Sequence, residues 1–314
     1  MNNLYYILKP NKTSSSSIRG RGLEINTTML FNRLNLFNLF VLLLFMLQLA
    51  VTPNAISEEK ELPLWEIGLG VAPLSMPSYR GSRNQELYTI PMPYIDYRGA
   101  FLRADREGIR GLVYDSDRIR LDFSGDGAIA STTDKEGPRR GMPDLDPVLE
   151  FGPSINFIFY ESPRTRIRLR MPLRAAVATD FSSVYHIGWK FHPDLSFDIN
   201  ELVLGWNVGA ALGPIFADSK YHAFYYDVEE RYATDFREQY RSGGGYSGTS
   251  LTITASQRFN NIWTGIFVRY DNLSGATFID SPLVETRHSF MAGLGVAYIF
   301  RTSKRTVPAG RDDF

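Results

Sequence analysis

Residues 164–178 read RTRIRLRMPLRAAVA, and the order of residues in this stretch decides the fold class. Arginine occupies positions 164, 166, 168, 170 and 174, and mostly apolar residues lie between them. Successive side chains of a strand point to opposite faces, so a period of two predicts a β-strand. A helix with this sequence would carry arginine around its whole circumference and would have no apolar stripe. The stretch therefore predicts a strand with one basic face and one apolar face.

Two kinds of sheet accommodate such a strand. In a soluble antiparallel sheet the arginines would lie in water and the apolar face would cover a core. In a transmembrane β-barrel the apolar face would contact lipid and the arginines would line a polar lumen. The stretch by itself leaves both alternatives open.

The composition narrows the function classes. The 314 residues include 34 basic and 34 acidic residues and no cysteine. The balanced charge gives no reason to expect nucleic acid as a partner, and the lack of cysteine excludes a disulfide framework and a thiolate metal site. Aromatic residues make up 13% of the chain, yet the mean hydropathy is −0.19, which argues against a helical membrane protein.

One long apolar run, residues 35–57, precedes the charged sequence EEKE. Its continuous core from Leu39 to Ala50 has the length of a signal-peptide hydrophobic region and is short for a membrane-spanning helix. We predict a cleavable signal peptide within residues 1–57, with Met29 as a candidate true start. A single-pass anchor at 35–55 is the alternative.

The remainder of the chain predicts an all-β antiparallel transmembrane barrel over residues 58–300, followed by a polar C-terminal extension, 301–314. Short alternating segments separated by turn residues indicate about twelve strands, or ten if 106–114 or 221–228 is a loop. The charged stretches 131–146 and 229–248 are predicted to be extracellular loops. The predicted strands are 64–72, 87–97, 106–114, 117–130, 147–160, 164–178, 184–199, 201–216, 221–228, 249–259, 262–271 and 288–300.

Six arginines form a candidate basic ladder that faces the lumen of such a barrel. We expect them to pair with carboxylates of neighbouring strands, because an unpaired cluster would repel itself in a low dielectric. The candidate partners are Asp122, Glu150, Asp194 and Asp198. The ladder consists of Arg118, Arg120, Arg166, Arg168, Arg170 and Arg174.

Aromatic residues are predicted to form girdles at the two membrane interfaces. The candidates are Tyr94, Tyr97, Tyr160, Trp189, Trp206, Trp263, Tyr270 and Tyr298.

Enzymatic chemistry has little support in the sequence. The best candidate for a nucleophile and base combines Ser182 or Ser183 with His186 and Asp180, all in a predicted loop. Four scattered histidines without cysteine do not suggest a metal site. We therefore predict no catalytic residue, no cofactor and no metal.

The last third of the chain carries a family resemblance. The order of a tryptophan strand, a Tyr-x-x-Leu step and an Asp-Ser-Pro-Leu turn before the final strand resembles the MltA-interacting protein (MipA/OmpV) family. The Tyr-x-x-Gly-Gly-Gly-Tyr element at 240–246 and the opening segment 68–82 are also similar to that family, so the resemblance spans roughly 62–300. The matching residues near the end of the chain are Trp263, Tyr270, Leu273, Asp280, Ser281, Pro282 and Leu283.

The resemblance implies a non-enzymatic β-barrel of the Gram-negative outer membrane. It also implies a scaffold that joins a lytic murein transglycosylase to a peptidoglycan synthase, or a role in adhesion. Two alternatives stay open: a small anion-preferring channel that uses the arginine ladder, and a surface adhesin that uses the two charged loops. The sequence gives no oligomeric state. Barrel chains of this kind commonly end on an aromatic residue of the last strand, whereas this chain continues for fourteen residues after Phe300.

Overall fold

The computed structural model describes residues 61–105, 108–128 and 137–308. The predicted signal peptide with its candidate start Met29, the barrel residues 58–60 and the end of the polar extension, 309–314, lie outside the described residues. The strands are β1 Glu61–Pro63, β2 Trp65–Pro77, β3 Gln85–Arg98, β4 Leu102–Asp105, β5 Gly108–Asp115, β6 Ile119–Ala128, β7 Val148–Glu161, β8 Thr165–Thr179, β9 Val184–Phe191, β10 Asp194–Ile199, β11 Asn207–Ala217, β12 Gly245–Phe259, β13 Ile262–Asn272, β14 His288–Thr302 and β15 Thr306–Pro308. One α-helix, α1 Ser219–Tyr226, and one 3-10 helix, Glu230–Tyr232, complete the described elements.

Strands β2 to β14 form one antiparallel sheet that closes on itself, because β14 pairs with β2. Strands β9 and β10 both lie between β8 and β11, so they are two halves of one interrupted strand. The interruption falls at Pro193, which has no N–H to donate to a ladder. The wall therefore has twelve strands, which confirms the predicted closed antiparallel barrel and the higher of the two predicted counts.

The prediction of a strand at 221–228 was wrong, because α1 occupies most of that segment. The Asp218 side chain accepts a 2.8 Å hydrogen bond from the Tyr221 backbone N–H and caps the first turn of the helix. The predicted strand 201–216 begins only at Asn207, because residues 200–206 form a tight turn. Of the predicted strand 106–114, residues 108–114 lie in β5, which pairs with the short β4, and residues 106–107 lie outside the described residues.

The outer surface of the barrel is apolar. Leu69 and Val71 of β2 are 60% and 54% exposed, whereas Glu66, on the alternate face of the same strand, is 1% exposed. On β8 the apolar face predicted from the sequence, including Leu173, likewise points outward, whereas Arg166 and Arg168 are buried inside. This arrangement is that of an outer-membrane β-barrel.

The two ends of the barrel differ in the length of their connections. Turns of two to seven residues lie at one end, together with β1 and β15, while the other end carries α1 and the longer loops. Outer-membrane barrels have short periplasmic turns and long extracellular loops, so the end that carries β1 and β15 is periplasmic. No α-helix in the described parts of the chain has the length and apolar character needed to cross a membrane.

The hairpin of β4 and β5 is much shorter than its neighbours. Strand β4 has four residues and pairs with β3 only at Tyr97 and Arg98, near the periplasmic turn. At the edge of β3 that faces β4, away from β2, residues 85–96 have no ladder partner among the described residues. Among the residues that the structure describes, the wall is therefore incomplete between β3 and β6 above this hairpin, and we call this gap the notch.

Candidate functional site in the barrel lumen

The arginines of β8 lie on the inner face of the barrel beside carboxylates of β10. Arg170 Nε lies 2.8 Å from Asp194 Oδ1, and Arg168 Nη2 lies 3.3 Å from Asp198 Oδ2. Asp194 is directly opposite Arg170 in the ladder of the two strands. Alternation of charge on two adjacent strands thus places each of these arginines within reach of a carboxylate.

Three further ladder arginines have acidic partners at other heights in the lumen. Near the periplasmic end, Arg120 pairs with Asp115 at 3.1 Å and Arg166 pairs with Glu161 at 2.9 Å. Towards the extracellular end, Arg174 lies 3.3 Å from Asp126, a residue that the sequence did not single out.

Two further carboxylates expected to face the ladder make contacts with groups outside it. Asp122 accepts a hydrogen bond from the Asn156 amide, and Glu150 pairs with Lys190. The sixth arginine, Arg118, lies in the exposed turn between β5 and β6 and not on the inner face, because the turn begins at Ser116 and ends the alternation there.

Two cavities in the lumen are lined by residues that the structure describes. The periplasmic one measures about 640 Å³, and its lining includes the buried Glu66, which binds both Arg98 and Arg258. The second cavity, about 470 Å³, lies beside the arginine ladder. Its lining carries six cationic and four acidic side chains: Arg110, Arg168, Arg170, Arg174, Lys190 and Arg269, with Asp122, Asp126, Asp194 and Asp198. Three further carboxylates, Asp105, Glu150 and Asp271, pair with Arg110, Lys190 and Arg269, so no cationic side chain of the described lining lacks an acidic partner.

Two aromatic residues predicted for the interfacial girdles lie inside the barrel instead. Tyr94 and Trp263 both line the periplasmic cavity, and their ring centroids are 5.9 Å apart. The indole lies against Gly265 and Gly295, where any β-carbon would crowd the ring. Small residues beside an aromatic residue were thus the signal that Trp263 faces inward.

Packed loops, which we call the cap, lie over the extracellular end of the lumen: residues 78–84, 137–147, α1 with 227–244, and 273–287. The rings of Tyr226 and Phe278 stack with centroids 3.6 Å apart, and Tyr79 donates a 2.7 Å hydrogen bond to the Leu283 carbonyl. On the lumen side, Tyr221 of α1 donates a 2.9 Å bond to Glu150. The cap therefore has its own apolar core, consisting of Tyr79, Leu145, Tyr226, Val228, Leu273, Ala276, Phe278 and Leu283.

Part of the family-like motif builds the cap. Leu273 is fully buried in the apolar core, and Ser281 donates a 2.7 Å hydrogen bond to the Tyr226 carbonyl. Pro282 follows in the same turn, Asp280 is exposed, and Tyr270 hydrogen-bonds His288 on the outer face. The motif therefore specifies a turn that holds α1 in place.

His222 is a buried group of the cap that the sequence did not indicate. Its Nδ1 lies 2.7 Å from the Gly243 carbonyl, which can only accept, so Nδ1 carries the proton. Its Nε2 then accepts from the Ser247 hydroxyl at 3.1 Å. Burial lowers the pKa of His222 below its usual value, which keeps the ring neutral.

The candidate catalytic group around His186 does not assemble. The Ser182 and Ser183 hydroxyls donate to Asp180, and these bonds lower the pKa of the Asp180 carboxyl to about 2. His186 instead contacts the Lys220 ammonium and the Trp189 ring. Within the described residues, no group of three or more His, Asp or Glu side chains could hold a metal ion.

A family model described as MltA-interacting protein MipA matches residues 69–300, well over half of the chain. The chain belongs to this family. The MipA-family assignment agrees with the resemblance found in the sequence, and the matched region runs from β2 to β14.

The individual proteins that are similar to the chain match it less extensively or at low sequence identity. The outer membrane protein Omp26La of Vibrio anguillarum is 30% identical over 91 residues, which are 28% of this chain and 34% of Omp26La. The match thus spans about a third of that relative. Two solved structures are similar to the chain. One is a bacterial polysaccharide outer membrane secretin, with 9% identity over 75% of this chain and 99% of that chain and a TM-score of 0.37. The other is the NanC porin, with 9% identity over 73% of this chain and 98% of that chain and a TM-score of 0.36. LpxR from Salmonella typhimurium is also similar (8%, 74% and 100%, TM-score 0.32).

Proposed function

We propose that this MipA-family barrel is a non-enzymatic, non-conducting scaffold that docks a lytic murein transglycosylase, and with it a peptidoglycan synthase, at its periplasmic end. The cap carries the proposal, because packed loops over the extracellular mouth suit an anchor better than a transport path. The carboxylate partners of the lumen arginines favour the same conclusion, since they neutralise the field that a filter would need.

The periplasmic turn 200–206 has the features of a docking surface. Glu201 and Leu204 hold φ angles of +50° and +54°, which cost free energy for residues other than glycine. The turn presents Val203 and Leu204 to the periplasm with 63% and 85% of their surface exposed. Two adjacent exposed aliphatic side chains on a backbone held in a strained conformation suit burial against a protein partner.

The test is direct binding of a purified lytic murein transglycosylase to the mature chain in lipid nanodiscs. Combined Val203→Asp and Leu204→Asp should weaken binding by about tenfold or more, because a charge would enter an apolar contact. Phe236→Asp is the matched control, since Phe236 is 97% exposed but lies on the extracellular side. If the unaltered chain does not bind the enzyme, the proposal fails. If all variants bind equally, the turn is not the docking surface.

A small anion channel is the second candidate, and the six cationic side chains around the cavity beside the ladder favour it. Planar-bilayer conductance distinguishes the two candidates. A silent, folded barrel supports the scaffold. A stable anion-preferring conductance that loses its preference in Arg168→Ala with Arg170→Ala supports the channel.

A further inference from the structure

The periplasmic cavity has an aromatic surface built into its wall. The Trp263 indole lies against Gly265 and Gly295, so one side of the ring covers the inner wall of the barrel. The ring is only half-buried, and it lines the cavity together with Tyr94. The centroids of the two rings are 5.9 Å apart and their planes are inclined by 49°. An aromatic surface is thus open to a cavity whose remaining lining is mostly polar.

Hydrogen-bonding groups lie beside this surface in the same lateral row of the barrel. Successive ladder partners across β11 to β14 form the row, which consists of Asn207, Ser256, Gly265 and Gly295. The indole rests on the two glycines of the row, and Asn207 and Ser256 line the cavity next to it. Neighbouring strands are about 5 Å apart. The polar groups and the indole are therefore within reach of one small ligand.

Both polar members of this row have unused hydrogen-bonding capacity. Ser256 is 9% exposed, and its hydroxyl makes no hydrogen bond to any residue that the structure describes. The Asn207 Oδ1 atom accepts a 3.0 Å hydrogen bond from the Glu201 backbone N–H, while its amide nitrogen has no partner in the described parts of the chain. A buried polar group without a partner is costly. These two side chains therefore point to a polar ligand in the cavity.

The cationic groups of the cavity are neutralised within the protein. Both arginines of the described lining have acidic partners: Arg98 pairs with Glu66 and Asp96, and Arg258 pairs with Glu66. Asp105 pairs with Arg110, and the fourth carboxylate of the lining belongs to the exposed Glu201. An anionic ligand would thus meet carboxylates without gaining an unpaired cation. The cavity favours a neutral ligand that forms many hydrogen bonds.

The cavity opens towards the periplasm. Glu201 and Gly205 in the turn 200–206, and Asn260 in the turn between β12 and β13, are exposed and line it. A ligand therefore enters from the periplasmic end and needs no passage through the notch. The volume of about 640 Å³ lies within the range of roughly 300 to 1,000 Å³ that is usual for small-molecule sites.

We propose that the periplasmic cavity binds a neutral saccharide whose pyranose ring stacks on Trp263 and Tyr94. The axial C–H groups of a pyranose carry partial positive charge and pack against the negative face of an aromatic ring. Its hydroxyl groups both donate and accept, which suits the Ser256 hydroxyl and the Asn207 amide. N-acetylated wall glycan and unmodified glucans share this chemistry. The proposal is independent of the docking of a murein enzyme, because the barrel alone forms the site.

Saturation-transfer NMR tests the proposal with the mature chain in phosphocholine micelles, which contain no sugar. The probes are chitobiose, cellobiose and the acidic sugar glucuronic acid. We expect saturable transfer of magnetisation to the ring protons of a neutral disaccharide and none to glucuronic acid. Preference for chitobiose assigns the site to an N-acetylated glycan, and preference for cellobiose assigns it to an unmodified glucan. If neither disaccharide shows saturable transfer, the proposal is overturned. Equal transfer to glucuronic acid overturns the assignment of a neutral ligand.

A matched pair of variants separates stacking from support of the wall. Trp263→Ala should abolish the transfer to the disaccharide. Phe267→Ala is the control, because Phe267 lies against Gly293 on the same inner wall but is not among the residues that line this cavity. This variant should keep the transfer. If both variants lose it, the aromatic residues only support the wall, and the stacking role is overturned.

A second pair tests the hydrogen bonds and remains informative if Trp263→Ala does not fold. Ser256→Ala should weaken binding by about threefold to tenfold, the effect of one hydrogen bond. Ser250→Ala is the control, since Ser250 is another buried residue of β12 whose hydroxyl lacks a partner among the described residues, and it lies outside this lining. Heat-modifiable migration shows that each variant is folded. Equal affinities of the two variants would overturn the role of Ser256.

Discussion

Arg170 of β8 and Asp194 of β10 are directly opposite in the barrel ladder, and their side chains meet at 2.8 Å on the lumen side. Asp194 is 4% exposed, whereas the Arg170 side chain is 32% exposed. The carboxylate is therefore the member of the pair that depends on its partner.

Arg170→Ala should destabilise the barrel by about 2 kcal/mol, because it removes a counter-charge that lies 2.8 Å from a buried carboxylate, an effect reduced by the partial exposure of the arginine. Urea unfolding of the barrel in lipid vesicles measures this change in the free energy of unfolding. Arg231→Ala is the control, since Arg231 and Glu229 form an exposed pair whose loss should change stability little. If the two variants changed the stability equally, the pair of Arg170 and Asp194 would not be a stabilising contact of the lumen.

The cap should be sensitive to acid through His222. Its folded pKa lies below the unfolded value, so the unfolded segment takes up a proton first as the pH falls. The stabilising contribution is complete above the unfolded pKa of about 6.5 and decreases below it. Protease cleavage of the loop residues 227–244 should therefore become faster as the pH is lowered from 7.5 to 5. In His222→Gln this pH dependence should be weaker; an unchanged dependence would assign it to another group.

Closure of the barrel should depend on Gly70. A β-carbon at this position would overlap the Val296 carbonyl oxygen across the β2–β14 seam. Gly70→Ala should therefore reduce the yield of folded, heat-modifiable barrel, because backbone rather than a flexible side chain would have to move. Gly111→Ala is the matched control, since its nearest neighbour would be a ring atom of Phe101 at 3.5 Å. Normal folding of Gly70→Ala would mean that the seam can separate.

The contact between the family-like turn and α1 gives a fourth prediction. Ser281→Ala removes the 2.7 Å bond to the Tyr226 carbonyl and should cost about 1 kcal/mol. Hydrogen exchange should then increase at α1 and leave β8 unchanged. Thr286→Ala, which alters an exposed bond in the same loop, should leave the exchange of α1 as it is.

The barrel itself could be predicted because a period of two is visible along each strand. The same alternation on two segments, Arg168 and Arg170 on one and Asp194 and Asp198 on the other, made these carboxylates two of the four candidate partners, but it did not indicate which pairs form. The alternation does not reveal where a strand ends, so Arg118 seemed to belong to the ladder although it lies in a turn. Aromatic character does not reveal which face a residue occupies, so Tyr94 and Trp263 were assigned to the girdles.

The cap could not be predicted from periodicity. Residues 221–226, YHAFYY, are apolar or aromatic at nearly every position, which fits a buried strand as well as a buried helix. The helix is favoured by the Asp218 cap and by packing against Phe278, more than 50 residues further along the chain. Contacts at such separation leave no local pattern.

The pairing of β2 with β14 has a consequence for the order of assembly. These strands are separated by more than 200 residues, so the seam is among the contacts with the highest loop-closure entropy in the chain. The hairpins between them involve neighbouring segments and can form while β2 still lacks one partner. The first strand to leave the export machinery must therefore wait for the last one, and until then its free edge requires protection from premature pairing.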